Sequence, residues 1–430
     1  MDITKFYFIA ALAVLSSCSQ TTSNEFKETV DGAFPFIPPT EKPQKPLSAA
    51  LNRYYDDFGG KQPYDNEFFT QFKYSELKGF DYNYFDGTIT RRDPSRIILH
   101  NGKYYMWYTY RKTPLPPQGA ENCNDSIAST DWDLGEIWYA TSKDGFTWEE
   151  QGVAVARPPK PQLGHRAVTT AEVLEWKGKY YMYFQAFNVP SGTRGDDCPV
   201  SVAVADSPDG PWKHTGKIVL ENGKKGEWDQ YSIHDPHPLV HDGKIYLYYK
   251  SDFGGQTAKI RMQGLAIGDN PMGPFKKHPL NPIINSGHET GIFPYKNGVV
   301  ALVYKDGPEH NTIQYSEDWV NFKIVAISEL FPYAASFFMP EAMTGSDDAR
   351  GVTWGMAHFI NYTGDWKKMC SKLVRFDCDL SQDLDDKKMK EPRVMYKPSV
   401  YYSQGLSQAQ KKRIQQENER LIKESEKNVK

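Results

Sequence analysis

The sequence predicts an all-β fold, a five-bladed β-propeller with a short N-terminal helical segment, and three observations carry that prediction. A hairpin of two aromatic-rich strands recurs five times along the 430 residues. The copies share a third strand and an Asp- or Pro-led aromatic turn after it. The composition also suits many short strands, with 14% aromatic residues, 33 Gly and 29 Pro.

The first copy spans residues 97–110, with Asn101-Gly102 as a two-residue turn, and continues into 137–142 and the turn Asp144-Gly145-Phe146. The second covers 173–184 and 202–205, then Pro208-Asp209-Gly210-Pro211-Trp212. The third covers 239–249 and 264–267, then Pro274-Phe275, and the fourth 294–304 and 312–316, then Asp318-Trp319. A fifth, weaker copy runs over 343–376. Five meanders of this kind close into a ring around a central channel. A β-sandwich could use the same hairpins but gives no reason for the shared third strand and turn.

The flanks read differently. Residues 1–18 carry a short apolar run behind Lys5 and end in Leu15-Ser16-Ser17-Cys18, the pattern of a lipoprotein signal peptide. The expectation is an exported protein, periplasmic or an outer-membrane lipoprotein, touching the membrane only through a lipid anchor at Cys18. Residues 19–46 are polar and Pro-rich, a flexible tether. Residues 47–80 open with Ser48 as N-cap of a short helix and Gly59 as its C-cap. Residues 81–385 form the propeller, and 386–430 a charged helical C-terminal extension. Cys123, Cys198, Cys370 and Cys378 lack the spacing of a zinc site, and their pairing is not fixed by sequence. A formal net charge of −3 gives no sign of a nucleic-acid partner.

Ionisable residues stand just before the first strand of every copy. They are Asp93-Pro94, Glu172 behind Thr170-Ala171, His234-Asp235-Pro236-His237, His288-Glu289 and Pro340-Glu341. In a propeller these positions converge at the channel mouth. A structural repeat gains nothing from crowding like charges there. Crowded carboxylates are what glycoside hydrolysis uses: one deprotonates a water, an acid protonates the leaving oxygen, and a third group can hold that acid protonated. Glu172 is read as the blade-two equivalent of these acids and as a sugar-hydroxyl contact, with Thr170, Gln185 and Trp132 as further contacts. His358 is expected to face the axis, where a structural divalent cation could sit; no cofactor is required.

The Asp-Pro pairs and the acid before the fourth copy resemble the five-bladed glycosidases of glycoside hydrolase family 43. The closer resemblance is to family 117, the α-1,3-neoagarooligosaccharide hydrolases, over nearly the whole chain after the tether. It rests on Ser48-x-Ala50-x-x-Arg53, on the segment from Gly79-Phe80-Asp81-Tyr82 to Arg91-Arg92-Asp93-Pro94-Ser95, and on Ser286-Gly287-His288-Glu289-Thr290-Gly291. The resemblance implies an exo-acting, inverting enzyme that releases 3,6-anhydro-L-galactose from the non-reducing end of agar oligosaccharides. It implies Asp93 as general base and Asp235 as the group that orients the site and tunes the acid. It implies His288 as general acid with Glu289 beside it, either of which could give the proton. Arg92 falls in one of these segments and His237 stands beside Asp235-Pro236 before the third copy, and both join the expected sugar contacts. It also implies a homodimer built by swapping the segment around Ser48 to Arg53. The alternatives are another exo-glycosidase, such as an α-L-arabinofuranosidase, and a surface lipoprotein that binds glycans without cutting them.

Overall fold

The computed structural model describes residues 41–55, 67–192, 198–224, 227–230, 232–251, 261–339, 348–361, 369–384 and 386–390. Cys18, most of the tether, Gly59, Glu341 and the tail from 391 lie outside the described residues.

Alternating apolar positions and tight turns build five antiparallel meanders. Blade one runs β2 (Ile89–Arg92) and β3 (Ile98–His100), then β4 (Lys103–Lys112), β5 (Glu136–Ser142) and β6 (Trp148–Val155). Blade two is β7 (Ala167–Trp176), β8 (Lys179–Phe187), β9 (Val200–Ala205) and β10 (Lys213–Leu220). Blade three is β11 (His234–His241), β12 (Lys244–Ser251), β13 (Met262–Gly268) and β14 (Lys276–Lys277). Blade four is β15 (Gly291–Tyr295), β16 (Gly298–Val303), β17 (Thr312–Ser316) and β18 (Lys323–Ile327). The first hairpin turns as read from the sequence: Asn101 and Gly102 have φ of 49° and 73°, the primed geometry that matches strand twist.

Blade five differs from the sequence reading. Its inner strand is β19 (Ser336–Phe337), followed by β20 (Gly351–Asn361) and β21 (Cys370–Ser381), and its outer strand is β1 (Lys73–Glu76), which pairs with β21. The inner strand therefore precedes Pro340-Glu341 rather than following it. The segment 47–80, read as helical, gives this outer strand to the propeller. The ring is closed by residues from near both ends of the described chain.

The core sits between blades. Tyr108 and Trp148 of blade one meet Trp354, Met356 and Leu373 of blade five, and Trp107 and Ile137 meet Val173 and Met182 of blade two. Blade four and its neighbours share the largest cluster, around Phe293, Phe337 and Phe376. Cys123, Cys198, Cys370 and Cys378 are all free thiols.

Helix α1 (Ala49–Tyr55) lies against blade four of its own chain. Ser48 caps it, accepting from the Leu51 amide at 3.2 Å and donating to Pro282 O at 2.7 Å. Arg53 grips Glu309 with both ends of its fork, at 2.7 and 2.9 Å.

Candidate active site

One backbone device brings the site together. In each blade one residue at the start of the inner strand takes a left-handed conformation: Asp93 (φ 50°), Thr170 (50°), Asp235 (51°), Glu289 (55°) and Ala334 (52°). Non-glycine residues avoid this region, and each such residue stores roughly 1–3 kcal/mol of strain. In blades two and three the inner strand also bulges there, with register breaks between Thr169 and Glu172 and between His234 and His237. The bulge turns one side chain per blade toward the axis. Asp93, Asp235 and Glu289 thus arrive from three blades at one place.

This alignment corrects the reading of blade two. Thr170, not Glu172, occupies the position of the acids. Glu172 lies two residues further on and accepts from the Arg96 amide at 3.0 and 3.1 Å and from Arg96 Nε at 3.3 Å. His237 Nδ1 is 3.4 Å from Glu172, and burial holds the imidazole below its ordinary value. Glu172 and His237 line a void of about 20 Å³ in the channel, not the larger mouth cavity. In blade five the equivalent residue is Ala334, so three of the five positions, Asp93, Asp235 and Glu289, carry a carboxylate.

The mouth is a cavity of about 420 Å³ lined by Arg92, Asp93, Trp132, Thr170, Gln185, Asp235, His288 and Glu289, among others. That volume suits a small ligand. Of the sequence-derived candidates, these eight share one pocket. Gln185 is also a support, its Oε1 accepting from the Asp235 amide at 3.1 Å. Trp132 stacks its ring over the Arg92 guanidinium at 4.9 Å. The cavity further contains His234, the residue before Asp235 in the blade-three motif, and residues that the sequence did not flag: Lys250, Arg261, Lys305, Asp306 and Tyr333. Lys250 is the next-to-last residue of β12 and Asp306 lies in the loop after β16, and charged residues at such places are ordinarily solvated.

Arg92 organises the acids. Its Nε donates to Asp93 at 2.9 Å, Nη2 to Glu289 at 3.0 Å and Nη1 to Asp131 at 3.4 Å. Thr109 and Thr170 hydroxyls add contacts to Asp93 Oδ2 at 3.3 Å each. Lys250 Nζ lies 2.8 Å from Asp235. Burial pushes the Asp93 carboxyl up, but the Arg92 charge and neighbouring cationic groups outweigh it and leave it below the usual value. Glu289 goes the other way. Burial, then the Asp93 charge, raise it to about 8.

His288 is buried among cations. Burial and the charges of Arg261, Lys250, Lys305 and Arg92 hold its imidazole well below its ordinary value, so the ring is neutral. Its Nδ1 lies 2.9 Å from Arg261 Nη1 and 3.2 Å from Asp306, and its Nε2 lies 3.6 Å from Glu289 Oε1.

Asp93, Glu289 and His358 each offer a ligand atom within 4.8 Å of the others. The set does not fit a cation. His358 Nδ1 accepts the Asp93 amide at 3.1 Å, so the neutral ring carries its proton on Nε2, facing Glu289 Oε2 at 4.0 Å. Neither nitrogen has a lone pair to give, and the Arg92 guanidinium already supplies the positive charge between the carboxyls.

A family model described as Glycosyl hydrolases family 43 matches residues 125–266. Among solved structures, Zg3597, a family 117 glycoside hydrolase produced by the marine bacterium Zobellia galactanivorans, is 58% identical with a TM-score of 0.75, over 80% of this chain and 100% of that one. A second structure, described as a glycoside hydrolase, is 14% identical with a TM-score of 0.51, over 76% of this chain and 96% of that one, and shares the fold alone. No curated protein matches. Fold, acids and relatives together define a glycoside hydrolase built on a five-bladed propeller. The chain belongs to glycoside hydrolase family 117.

Proposed function

We propose that this enzyme is an exo-acting, inverting hydrolase that releases 3,6-anhydro-L-galactose from the non-reducing end of neoagaro-oligosaccharides. One observation carries the catalytic half of this reading. Two carboxyls in one buried pocket are driven apart, Asp93 below its ordinary value and Glu289 up to about 8. Such a split separates a base from a proton store at neutral pH. A protein that merely binds glycans has no use for it. The choice of sugar rests on the resemblance to family 117 neoagarooligosaccharide hydrolases.

In this reading Asp93, ionised, takes a proton from the attacking water. Glu289 holds the proton that the leaving oxygen needs. Asp93 and Glu289 oxygens lie within 4.8 Å of each other, closer than the roughly 6.5–9.5 Å that leaves room for a water between base and acid. That closeness favours His288 as the group that faces the leaving oxygen; its neutral ring first takes the proton of Glu289 at Nε2, and the imidazolium so formed passes it to the leaving oxygen. Asp235, fixed by Lys250 and Gln185, orients the sugar and adds to the field that keeps Glu289 protonated. Arg92, Trp132 and Thr170 line the sugar's berth. No cofactor is needed, since Arg92 takes the place of a structural cation. Export, lipidation at Cys18 and homodimer formation through the segment around Ser48 to Arg53 complete the proposal.

The test is product analysis with neoagarobiose, neoagarotetraose and a panel of nitrophenyl glycosides. Release of anhydrogalactose is expected, with the rate falling by about 10²–10⁴ in Asp93→Asn while sugar binding by calorimetry persists. Turnover of the arabinofuranoside instead would reassign the substrate. Sugar binding with no product from any member of the panel would remove the hydrolytic reading.

A further inference from the structure

The contacts of α1 reach further than a docking site requires. Arg53 clasps the buried Glu309, whose carboxylate also accepts from Gln314 Nε2 at 3.0 Å. The Glu309 amide donates to Ser286 Oγ at 2.9 Å, and Ser286 Oγ donates to Asn285 Oδ1 at 2.9 Å. Asn285 Nδ2 returns to α1, donating to Ala50 O at 3.1 Å, while Ser48 holds Pro282 O. Two loops are tied together in this way, residues 282–289 and 304–309. The first carries His288 and Glu289, and the second carries Asp306.

The two loops also grip each other beside the site. The Gly287 amide donates to Asp306 O at 3.0 Å and the His288 amide to Tyr304 O at 2.7 Å. Gly307 packs so tightly on Ser286 that a Cβ would meet Ser286 Oγ at 2.5 Å. Asp306 Oδ2 then faces His288 Nδ1 at 3.2 Å. From Arg53 to His288 the path is one ion pair, one hydrogen bond and two residues of chain.

We propose that α1 is a brace for the proton-delivering loop, and that Arg53 and Glu309 are positioning residues for His288 and Glu289. This rests on the hydrolytic reading of that loop. The physical reason is that Glu309 is a buried carboxylate held by a bidentate guanidinium. Removal of Arg53 leaves it short of its cation, and the 304–309 loop must move to hydrate it. Asp306 and the His288 ring move with that loop. Displacement by about 1 Å at a reacting group costs on the order of 10²-fold in rate.

The experiment compares wild type, Arg53→Ala, Arg53→Lys, Glu309→Gln and the reversed pair Arg53→Glu with Glu309→Arg. Steady-state kinetics are measured on the best substrate, and hydrogen exchange is followed by mass spectrometry. For Arg53→Ala and Glu309→Gln the expected result is a fall in kcat of about tenfold to a hundredfold with KM nearly unchanged. Faster exchange is expected in peptides covering 282–291 and 303–310 but not in blade two. Arg53→Lys, which keeps the charge but not the fork, restores part of kcat, and so does the reversed pair. A lowered melting temperature with kcat and local exchange unchanged would overturn the proposal, and so would exchange that rises evenly over all blades. If wild type cleaves no sugar, the hydrolytic reading fails and the exchange pattern alone decides whether α1 braces the loop.

Discussion

Glu289→Gln should make the protein more stable and far less active, and the gain should depend on pH. Glu289 rises from an ordinary 4.5 to about 8 in the folded protein. The native state therefore binds a proton that the unfolded chain releases. Stability from that proton is fully present below 4.5 and is lost as pH rises through about 8. The shift of about 3.5 pH units, at 1.36 kcal/mol per unit, makes Glu289 cost about 5 kcal/mol at pH 9 relative to a residue that does not titrate, and about 1 kcal/mol at pH 5, where only the unfolded chain ionises it. Gln copies the protonated form and keeps an oxygen for Arg92 Nη2. It removes the penalty at high pH and changes little at low pH. With about 2 °C per kcal/mol for a domain of this size, the melting temperature should rise by roughly 10 °C at pH 9 and by a degree or two at pH 5. Differential scanning calorimetry of both proteins at the two pH values is the assay. Equal differences at pH 5 and pH 9 would refute the claim that Glu289 stores a proton.

Two further predictions concern pH and the backbone. The pH profile of kcat/KM should be a bell whose acid limb lies below the ordinary carboxylate range, where Asp93 protonates, and whose alkaline limb lies near 8, where the His288–Glu289 pair loses its proton. An alkaline limb below about 6.5 would place the proton on His288 alone. Gly79 has φ of 99°, and a Cβ there would sit 1.8 Å from Trp148 O. Gly79→Ala should destabilise by at least ~1–3 kcal/mol, read as a lower urea midpoint, and an unchanged midpoint would show that the 78–80 segment is free to shift.

Much of this molecule was legible in its sequence because a propeller repeats its chemistry. Asn-Gly and Asp-Gly turns between aromatic strands located the hairpins, and Asp-Pro at two strand starts located two of the acids. The gaps have physical causes. Lys73–Glu76 is four residues of mixed polarity, and only pairing with β21, some three hundred residues away, makes it a strand. Ser336–Phe337 is too short for any periodicity to show. Glu172 misled because an acid beside a strand start looks alike at either of two neighbouring positions, and the left-handed residue that separates them is set by the bulge. Lys250, Arg261 and Asp306 were invisible as site residues because each takes its role from an ion pair that only the folded blades form. The sequence marks Ser48 as a helix cap and, by resemblance, Ser48 to Arg53 as a dimer segment, but the contacts with Pro282 and Glu309 are a property of the folded blade.

The outer strand of blade five sets the order in which the chain can be finished. Its residues, Lys73–Glu76, are made about three hundred residues before their partners in Cys370–Ser381. Four blades can assemble as they are made, whereas the early strand must wait with open hydrogen-bonding groups until β21 has been translated. Bringing such distant partners together is slow and entropically costly. The circle is therefore sealed last, and a chain truncated anywhere before residue 370 has no seam to close.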